Sequence, residues 1–87
     1  MIKVIMHGCN GKMGQVITRL IAQENDMEIV AGIDPFDGIK NTYPVYKSID
    51  VCDVKADVII DFASATAVNG LLDYCANTQT PVVLCTT

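Results

Sequence analysis

The chain opens with MIKVIMH at residues 1–7, GCNGKMG at residues 8–14 and QVITRLI at residues 15–21. The first segment reads as a strand buried on both faces, as in a parallel sheet, through Ile2, Val4 and Ile5. From residue 13 onward, apolar residues recur at the spacing of one helical stripe, namely Met13, Val16, Ile17, Leu20 and Ile21. The stretch therefore predicts a strand, a tight turn and a helix in direct succession.

Three glycines divide the turn, and each has a separate physical role. Gly8 lets the chain turn off the strand at a point where a Cβ would clash. Gly11 leaves the start of the helix bare, so that an anion can reach backbone N–H groups that have no intrahelical partner. Gly14 lets the helix lie close to the strand. The pattern predicts an anion-binding turn, and the alternative is a glycine-rich turn that binds nothing.

The remaining sequence continues the alternation of strands and helices. Further strands are predicted at Met27–Ile33, Val45–Tyr46, Ala56–Phe62 and Pro81–Cys85. We expect the first helix to end between Glu24 and Asp26 and a short helix to follow Ser48 over residues 49–54. A later helix, capped by Ser64, carries a stripe of four apolar residues: Val68, Leu71, Leu72 and Cys75.

This order of elements predicts the α/β class, with residues 1–87 forming one domain. The predicted architecture is a Rossmann-like parallel sheet with flanking helices, right-handed crossovers and strand order 3-2-1-4-5. In that order the ends of two strands, at Gly8 and Phe62, lie side by side. Ligands of such sheets bind at this switch point.

Composition and charge exclude several classes of function. Hydrophobic residues make up 51% of the chain and charged residues 18%, which is typical of a globular domain. The net charge of −4 argues against a nucleic-acid partner, because no basic stripe is present to neutralise phosphates. No signal peptide is recognisable, and no apolar run approaches the ~20 residues that span a bilayer. We therefore expect a cytoplasmic protein with no membrane partner.

The four cysteines give no sign of a metal site. Cys9, Cys52, Cys75 and Cys85 form no C-x-x-C pair and have no histidine at a ligand spacing. We expect all of them to be small buried hydrophobic residues in a reducing compartment.

An aspartate follows the second strand at the position where dinucleotide folds bind a ribose. Asp34 lies 20 residues beyond Gly14, and such an acidic side chain accepts hydrogen bonds from the adenosine ribose hydroxyls. The alternative is an ordinary strand-end aspartate that caps a turn. Lys12 is either a partner for a phosphate or a solvated surface lysine. His7 is interpreted as a packing or turn residue.

Together these segments resemble the N-terminal domain of the dihydrodipicolinate reductase family, also named 4-hydroxy-tetrahydrodipicolinate reductase. The resemblance extends over the whole chain and rests on three motifs: GCNGKMG at residues 8–14, DVIIDF at residues 57–62 and CTT at residues 85–87. It implies an NAD(P)H-dependent oxidoreductase of lysine and diaminopimelate biosynthesis that transfers hydride to a cyclic dicarboxylate. It also implies a homotetrameric full-length enzyme with a separate C-terminal substrate domain, which is absent from this chain.

The same resemblance implies which residues bind the cofactor. The pyrophosphate would be wrapped by Gly8, Cys9, Asn10, Gly11, Lys12 and Met13, and Asp34 would bind the adenosine ribose. Phe62, Cys85, Thr86 and Thr87 would lie against the nicotinamide and its ribose. Two positions depart from the family pattern: Cys85 stands where the family has glycine, and Ala63 stands where it commonly has threonine.

Charge at the ribose position favours NADH, with NADPH tolerated. Asp34 suits a free 2′-hydroxyl and repels a 2′-phosphate, and Pro35 supplies no compensating cation. The family's catalytic residues lie beyond residue 87, so we expect this chain alone to bind dinucleotide weakly and to reduce nothing. Two other interpretations stay open: a stand-alone dinucleotide-sensing module, and the cofactor domain of another dehydrogenase such as homoserine dehydrogenase.

Overall fold

The central strand of the sheet is the one that opens the sequence. The computed structural model describes residues 1–36, 38–62 and 68–85. Within them lie five strands: β1 (Ile2–His7), β2 (Met27–Ile33), β3 (Val45–Tyr46), β4 (Val58–Asp61) and β5 (Val82–Leu84). Two α-helices accompany them, α1 (Lys12–Ala22) and α2 (Val68–Thr78), with a single 3-10 turn at Ile49–Val51.

The strands form one parallel sheet in the order β3-β2-β1-β4-β5, which confirms the predicted topology. β1 pairs with β2 on one side and with β4 on the other, so His7 lies opposite both Ile33 and Asp61. The carboxyl ends of three strands therefore meet at one edge of the sheet. The glycine turn, residues 8–14, leaves β1 at that edge.

β1 is buried on both faces, as predicted, except at its start. Val4 and Met6 face a cluster with Ile21 of α1, whereas Ile5 faces a second cluster with Leu71 of α2. Each helix thus covers one face of the sheet. Ile2 is exposed, because it pairs with the first residue of β2 at the open end of the sheet, away from both helices.

The predicted apolar stripe of α1 is only partly correct. Ile21 is buried and Ile17 packs against the same cluster, but Met13 and Leu20 are 52% and 53% exposed. The reason is geometric: the closest approach of the helix is at Gly14, and successive residues are rotated by about 100°. Positions 17 and 21 therefore face the sheet, and positions 13 and 20 lie on the flank of the helix.

Several elements are shorter than predicted. α1 ends at Ala22 rather than between residues 24 and 26, and the turn after Ser48 stops at Val51 rather than at residue 54. Ser48 makes no side-chain cap hydrogen bond there, and β-branched residues are poor helix formers. β5 is one residue shorter at each end than predicted.

β4 begins two residues later than predicted because a side chain takes over the first pairing. The Asp57 N–H donates to the Lys3 carbonyl at 2.8 Å, while the Asp57 carboxylate accepts from the Lys3 N–H at 2.8 Å. The carboxylate thus replaces a backbone carbonyl, and regular pairing starts at Val58.

α2 buries Leu71 and Cys75 as predicted, whereas Leu72 is exposed. The helix ends at Thr78, and Gln79 has a positive φ of 56°, an uncommon conformation for a residue with a side chain. The Thr80 N–H closes the end by donating to the Cys75 carbonyl. The predicted Ser64 cap lies outside the described residues. In the part of the chain that is described, no helix is long and apolar enough to cross a membrane.

Candidate functional site

A cleft of about 580 Å³ lies at the carboxyl edge of the sheet. It is bounded by the ends of β1, β2 and β4, by the segment after β3 and by the start of α2. Four predicted site residues line it: Gly8, Gly11, Asp34 and Phe62. Lys12 and Met13 are exposed at the start of α1, and Cys85 is exposed after β5. Thr86 and Thr87 lie outside the described residues.

Two glycines of the turn are required by the fold itself. Gly8 has a φ of 88°, a conformation that side chains rarely adopt. A Cβ on Gly14 would clash with the Gly8 carbonyl oxygen and would lie 2.6 Å from that of Cys9. The helix therefore approaches residues 8 and 9 of the turn, and not the strand as predicted, too closely for any side chain at residue 14.

Gly11 is different, because the fold would accept a side chain there. Its φ of −74° and ψ of 169° are ordinary extended values, and it is the N-cap of α1. A Cβ would meet only the Gly8 carbonyl oxygen, at 3.5 Å, which is normal van der Waals contact. Gly11 also lines the cleft. The space in front of it is therefore open for a ligand.

The N–H groups of the turn are already engaged by the protein. They donate to the Ile33 carbonyl (from Gly8 and Cys9), to the Asp34 carboxylate (from Asn10) and to the Gly8 carbonyl (from Gly11). The first amide with an intrahelical bond is Gln15, which donates to Gly11 at 3.0 Å. The orphan donors of the helix start are therefore Lys12, Met13 and Gly14.

Anion binding at the start of α1 stays a prediction, which these orphan amides support. They sit at the positive end of the helix dipole, and the first turn carries no acidic residue. Gly14 is an orphan donor that the predicted binding set did not include. Counting the N–H groups ahead of the first intrahelical bond would have identified this donor from the sequence.

Asp34 is held in place by the backbone on both of its oxygens. Oδ2 accepts from the Asn10 N–H at 3.1 Å, and Oδ1 accepts from the Phe36 N–H at 2.9 Å. The turn-capping role considered above is therefore real. Each carboxylate oxygen keeps a second lone pair, and Asp34 lines the cleft, so capping leaves room for ribose hydroxyls. Ribose binding stays a prediction.

The sequence interpretation of His7 missed its partner. His7 Nδ1 lies 2.8 Å from Asp61 Oδ1, and the two side chains are 6% and 0% exposed. Both residues end their strands and face each other in the register of β1 and β4. The pair could have been predicted from the strand order. It forms part of the floor of the cleft, because His7 lines it.

Cys9 faces the core and not the cleft. Its sulfur packs where Gly32 leaves space beside the ring of Tyr43, and the side chain is fully buried. Burial, together with the nearby negative charge of Asp34, raises the pKa of the Cys9 thiol to about 11. The thiol is therefore neutral near pH 7, and Cys9 reaches the turn only through its backbone.

Asn10 also turns inward and is 8% exposed. Its side chain donates to the Phe36 carbonyl and accepts from Asn41. The side chain therefore binds the loop after β2, and contact of Asn10 with the pyrophosphate stays a prediction.

Phe62 and Cys85 are each hydrogen-bonded through the backbone to the end of a neighbouring strand. The Phe62 N–H donates to the His7 carbonyl, and the Cys85 N–H donates to the Asp61 carbonyl, each at 2.8 Å. The Phe62 ring packs on the α1 side of the sheet and lines the cleft. Cys85 is an exposed free thiol, so the expectation that all four cysteines are buried is wrong at this residue.

Two charged residues that line the cleft were not predicted from the sequence. Lys47 and Asp50 line it from the segment after β3, where the sequence offers little periodicity. No group of three or more potential metal ligands occurs within residues 1–36, 38–62 and 68–85.

Comparison with known proteins relates this geometry to one family. Residues 2–87 match the family model described as dihydrodipicolinate reductase, N-terminus. The chain is 46% identical over 87 residues to the 4-hydroxy-tetrahydrodipicolinate reductase of Clostridium novyi (strain NT), covering all of this chain and 34% of that protein. It is 42% identical over 91 residues to the enzyme of the same name from Caldanaerobacter subterraneus subsp. tengcongensis, again covering 34% of it.

A solved structure shares the fold. The dipicolinate-bound dihydrodipicolinate reductase from Paenisporosarcina sp. TG-14 superposes with a TM-score of 0.81 at 25% identity, over 97% of this chain and 37% of that one. The chain thus spans about a third of the length of the relatives it matches.

Proposed function

The chain belongs to the family of dihydrodipicolinate reductase N-terminal domains, and on that premise we propose that it is the NAD(P)H-binding part of such a reductase. The whole enzyme would transfer hydride to a cyclic unsaturated dicarboxylate in lysine and diaminopimelate biosynthesis. We place the substrate-binding domain in the remaining two thirds of the relatives' length, which this chain does not cover. The bound nicotinamide would supply the hydride, and this chain would hold and orient it.

The open start of α1 is the observation that carries the proposal. Gly11 leaves space that the fold does not need, and the amides of Lys12, Met13 and Gly14 have no intrahelical partners. A diphosphate matches both properties, because it is anionic and needs close approach to the backbone. Gly11 and the amides of residues 12–14 therefore fit the diphosphate of a nicotinamide dinucleotide.

At the adenosine end, the proposed ligand of Asp34 is the ribose diol, with NADH preferred and NADPH tolerated. The carboxylate is fixed by two backbone N–H groups, so it would have to meet a 2′-phosphate without moving aside. Lys12 is exposed on the first turn of α1, and Lys47 lines the cleft. These two cations are proposed to offset the repulsion of the 2′-phosphate and so to allow NADPH to bind.

At the nicotinamide end, we assign Phe62, Cys85, Thr86 and Thr87. Phe62 lines the cleft at the end of β4, and the exposed Cys85 follows the neighbouring β5. The homotetrameric state of the full-length enzyme and its cytoplasmic location stay predictions that rest on the family resemblance.

The surface favours part of a larger enzyme over a stand-alone sensing module. Val83 and Leu84 of β5 and Leu72 of α2 are large apolar residues that are exposed in this chain. A module that functions by itself would be expected to cover such residues. The family match favours this reductase over the homoserine dehydrogenase alternative.

Substitution of Gly11 by serine tests the proposal, because stability and affinity should move in opposite directions. Serine is at least as good an N-cap as glycine, and its hydroxyl accepts from the amides of the first turn. Those are the amides assigned to the diphosphate. We expect Gly11→Ser to keep or raise the denaturation midpoint and to weaken NADH binding about tenfold in calorimetric titration.

Amide chemical-shift mapping of the unsubstituted protein with NADH provides the second readout. The largest shifts should fall on residues 12–14, where the orphan donors lie. A Gly11→Ser protein that binds NADH as tightly as the original, or shifts located away from α1, would refute the proposed site.

A further inference from the structure

Three side-chain amides connect α1, the glycine turn and the loop after β2. Gln15 Nε2 donates to the Cys9 carbonyl at 2.9 Å and to Asn41 Oδ1 at 3.0 Å. Asn41 Nδ2 donates to Asn10 Oδ1 at 2.7 Å. Asn10 Nδ2 in turn donates to the Phe36 carbonyl. We refer to Gln15, Asn41 and Asn10 as the carboxamide chain.

The carboxamide chain has a fixed direction. Gln15 only donates, whereas Asn41 and Asn10 each accept through the amide oxygen and donate through the NH₂ group, so these two need both functions. Asn10, at its end, is 8% exposed, and hydrogen bonds in such surroundings are costly to leave unmade. The arrangement therefore specifies one position of the loop relative to the turn.

The carboxamide chain ends at the Phe36 carbonyl, beside Asp34, the residue proposed to bind the ribose. The Asn10 N–H donates to Asp34 Oδ2 at 3.1 Å, and the Phe36 N–H donates to Oδ1 at 2.9 Å. The carboxylate is thus held between the two residues that the Asn10 side chain joins. The separation between Asp34 and the orphan amides of α1 depends on these contacts.

We propose that Asn41 is a positioning residue for the adenosine half of the dinucleotide. It is absent from the lining of the cleft and acts through Asn10, by holding the loop that carries Asp34. The ligand class is an adenosine nucleotide with free ribose hydroxyls, and the inference rests on the proposed function. Without Asn41, the loop must be ordered when the ligand binds, and that cost appears as lost affinity.

Fragments of the cofactor separate this role from general support of the fold. AMP contains the adenosine half, and reduced nicotinamide mononucleotide contains the other half. We expect Asn41→Ala to weaken binding of AMP and of NADH by the same factor, about tenfold, and to leave the mononucleotide unchanged. Thr42→Ala is the matched control, since Thr42 is the exposed neighbour of Asn41 and takes part in none of the described hydrogen bonds of the carboxamide chain.

Gln15→Met is the second variant, because methionine keeps the length of the side chain and removes both hydrogen bonds. If Asn41→Ala does not fold, Gln15→Met tests the positioning role in its place. It should weaken binding of AMP and of NADH and leave binding of the mononucleotide unchanged. The double substitution should cost less than the sum of the single ones, since both break one network.

The outcomes separate the two proposals. If the unsubstituted protein binds neither NADH nor AMP, the proposed function fails. If it binds them and both variants bind AMP normally, or lose both fragments equally, the positioning role of Asn41 is overturned.

Discussion

His7 and Asp61 face each other across β1 and β4, with Nδ1 and Oδ1 2.8 Å apart and both side chains buried. The contact joins two strands at the point where the sheet opens into the cleft. The contact explains why a polar side chain occupies position 7, at the buried end of β1. A buried carboxylate that keeps its hydrogen bonds costs far less than one that loses them.

Replacement of His7 by leucine should therefore lower the free energy of unfolding by about 1–3 kcal/mol, since a buried carboxylate loses a partner. His7→Asn is the matched control, because its amide can place a donor near the position of Nδ1 and should recover part of the loss. Urea denaturation measures both. A leucine variant as stable as the original protein would show that the contact contributes nothing.

Two glycines, one in each helix, should respond to alanine with opposite signs. Alanine at position 14 would drive its Cβ into the carbonyl groups of Gly8 and Cys9, so it should destabilise the protein by about 1–3 kcal/mol despite its helix propensity. Gly70 of α2 has nothing within 4 Å of an added Cβ. There alanine should stabilise by about 1 kcal/mol.

Thermal or urea denaturation of Gly14→Ala and Gly70→Ala gives the two values side by side. Stabilisation by both substitutions would contradict the close approach of α1 to the turn. It would mean that helix propensity alone governs both positions.

The sequence was sufficient for the sheet because its signals are periodic and local. Strand and helix segments alternate, and the handedness of crossovers then restricts the order, so β2 was predicted to the residue. The glycine turn and Asp34 follow from spacing along the chain. The exposure of Met13 and Leu20 did not follow, because it depends on which face of α1 approaches the sheet.

The carboxamide chain has no sequence signal of this kind. Asn10 and Asn41 are 31 residues apart, and neither lies in a periodic segment. Polar residues in loops are usually solvated, so nothing in the sequence indicates that these two side chains meet. Their role depends on the tertiary position of the loop after β2, which local patterns do not encode.

The thiols should differ in reactivity and make the protein sensitive to alkali. Cys85 is exposed, whereas Cys9, Cys52 and Cys75 are buried with pKa values raised mainly by burial, to about 11 for Cys9. At pH 8 a thiol-specific reagent should modify Cys85 at once and the others only after addition of denaturant. Cys85→Ser should abolish the fast phase.

The effect of pH on stability follows from the direction of these shifts. A thiol whose pKa is higher in the folded than in the unfolded state stabilises the fold fully below the unfolded pKa. That contribution is lost as the pH rises from about 9, the ordinary thiol value, towards about 11. Urea midpoints should therefore decrease over this interval. A constant midpoint there would contradict the burial of Cys9.

Asp34 should set the preference between the two nicotinamide cofactors. Its fixed carboxylate would repel a 2′-phosphate, and two like unit charges about 4 Å apart repel by roughly 4 kcal/mol at an effective dielectric constant of about 20. We expect Asp34→Asn to reduce the ratio of the NADPH to the NADH dissociation constant by about tenfold or more. The main change should be tighter NADPH binding, because the repulsion disappears. Calorimetric titration with both cofactors at low and high salt measures this, since the repulsion is screened by salt.

Asp50→Asn is the control, as Asp50 lines the same cleft beyond the strand ends and carries the same charge. An unsubstituted protein that binds NADPH at least tenfold more tightly than NADH, or equal effects of the two substitutions, would show that Asp34 does not select the cofactor.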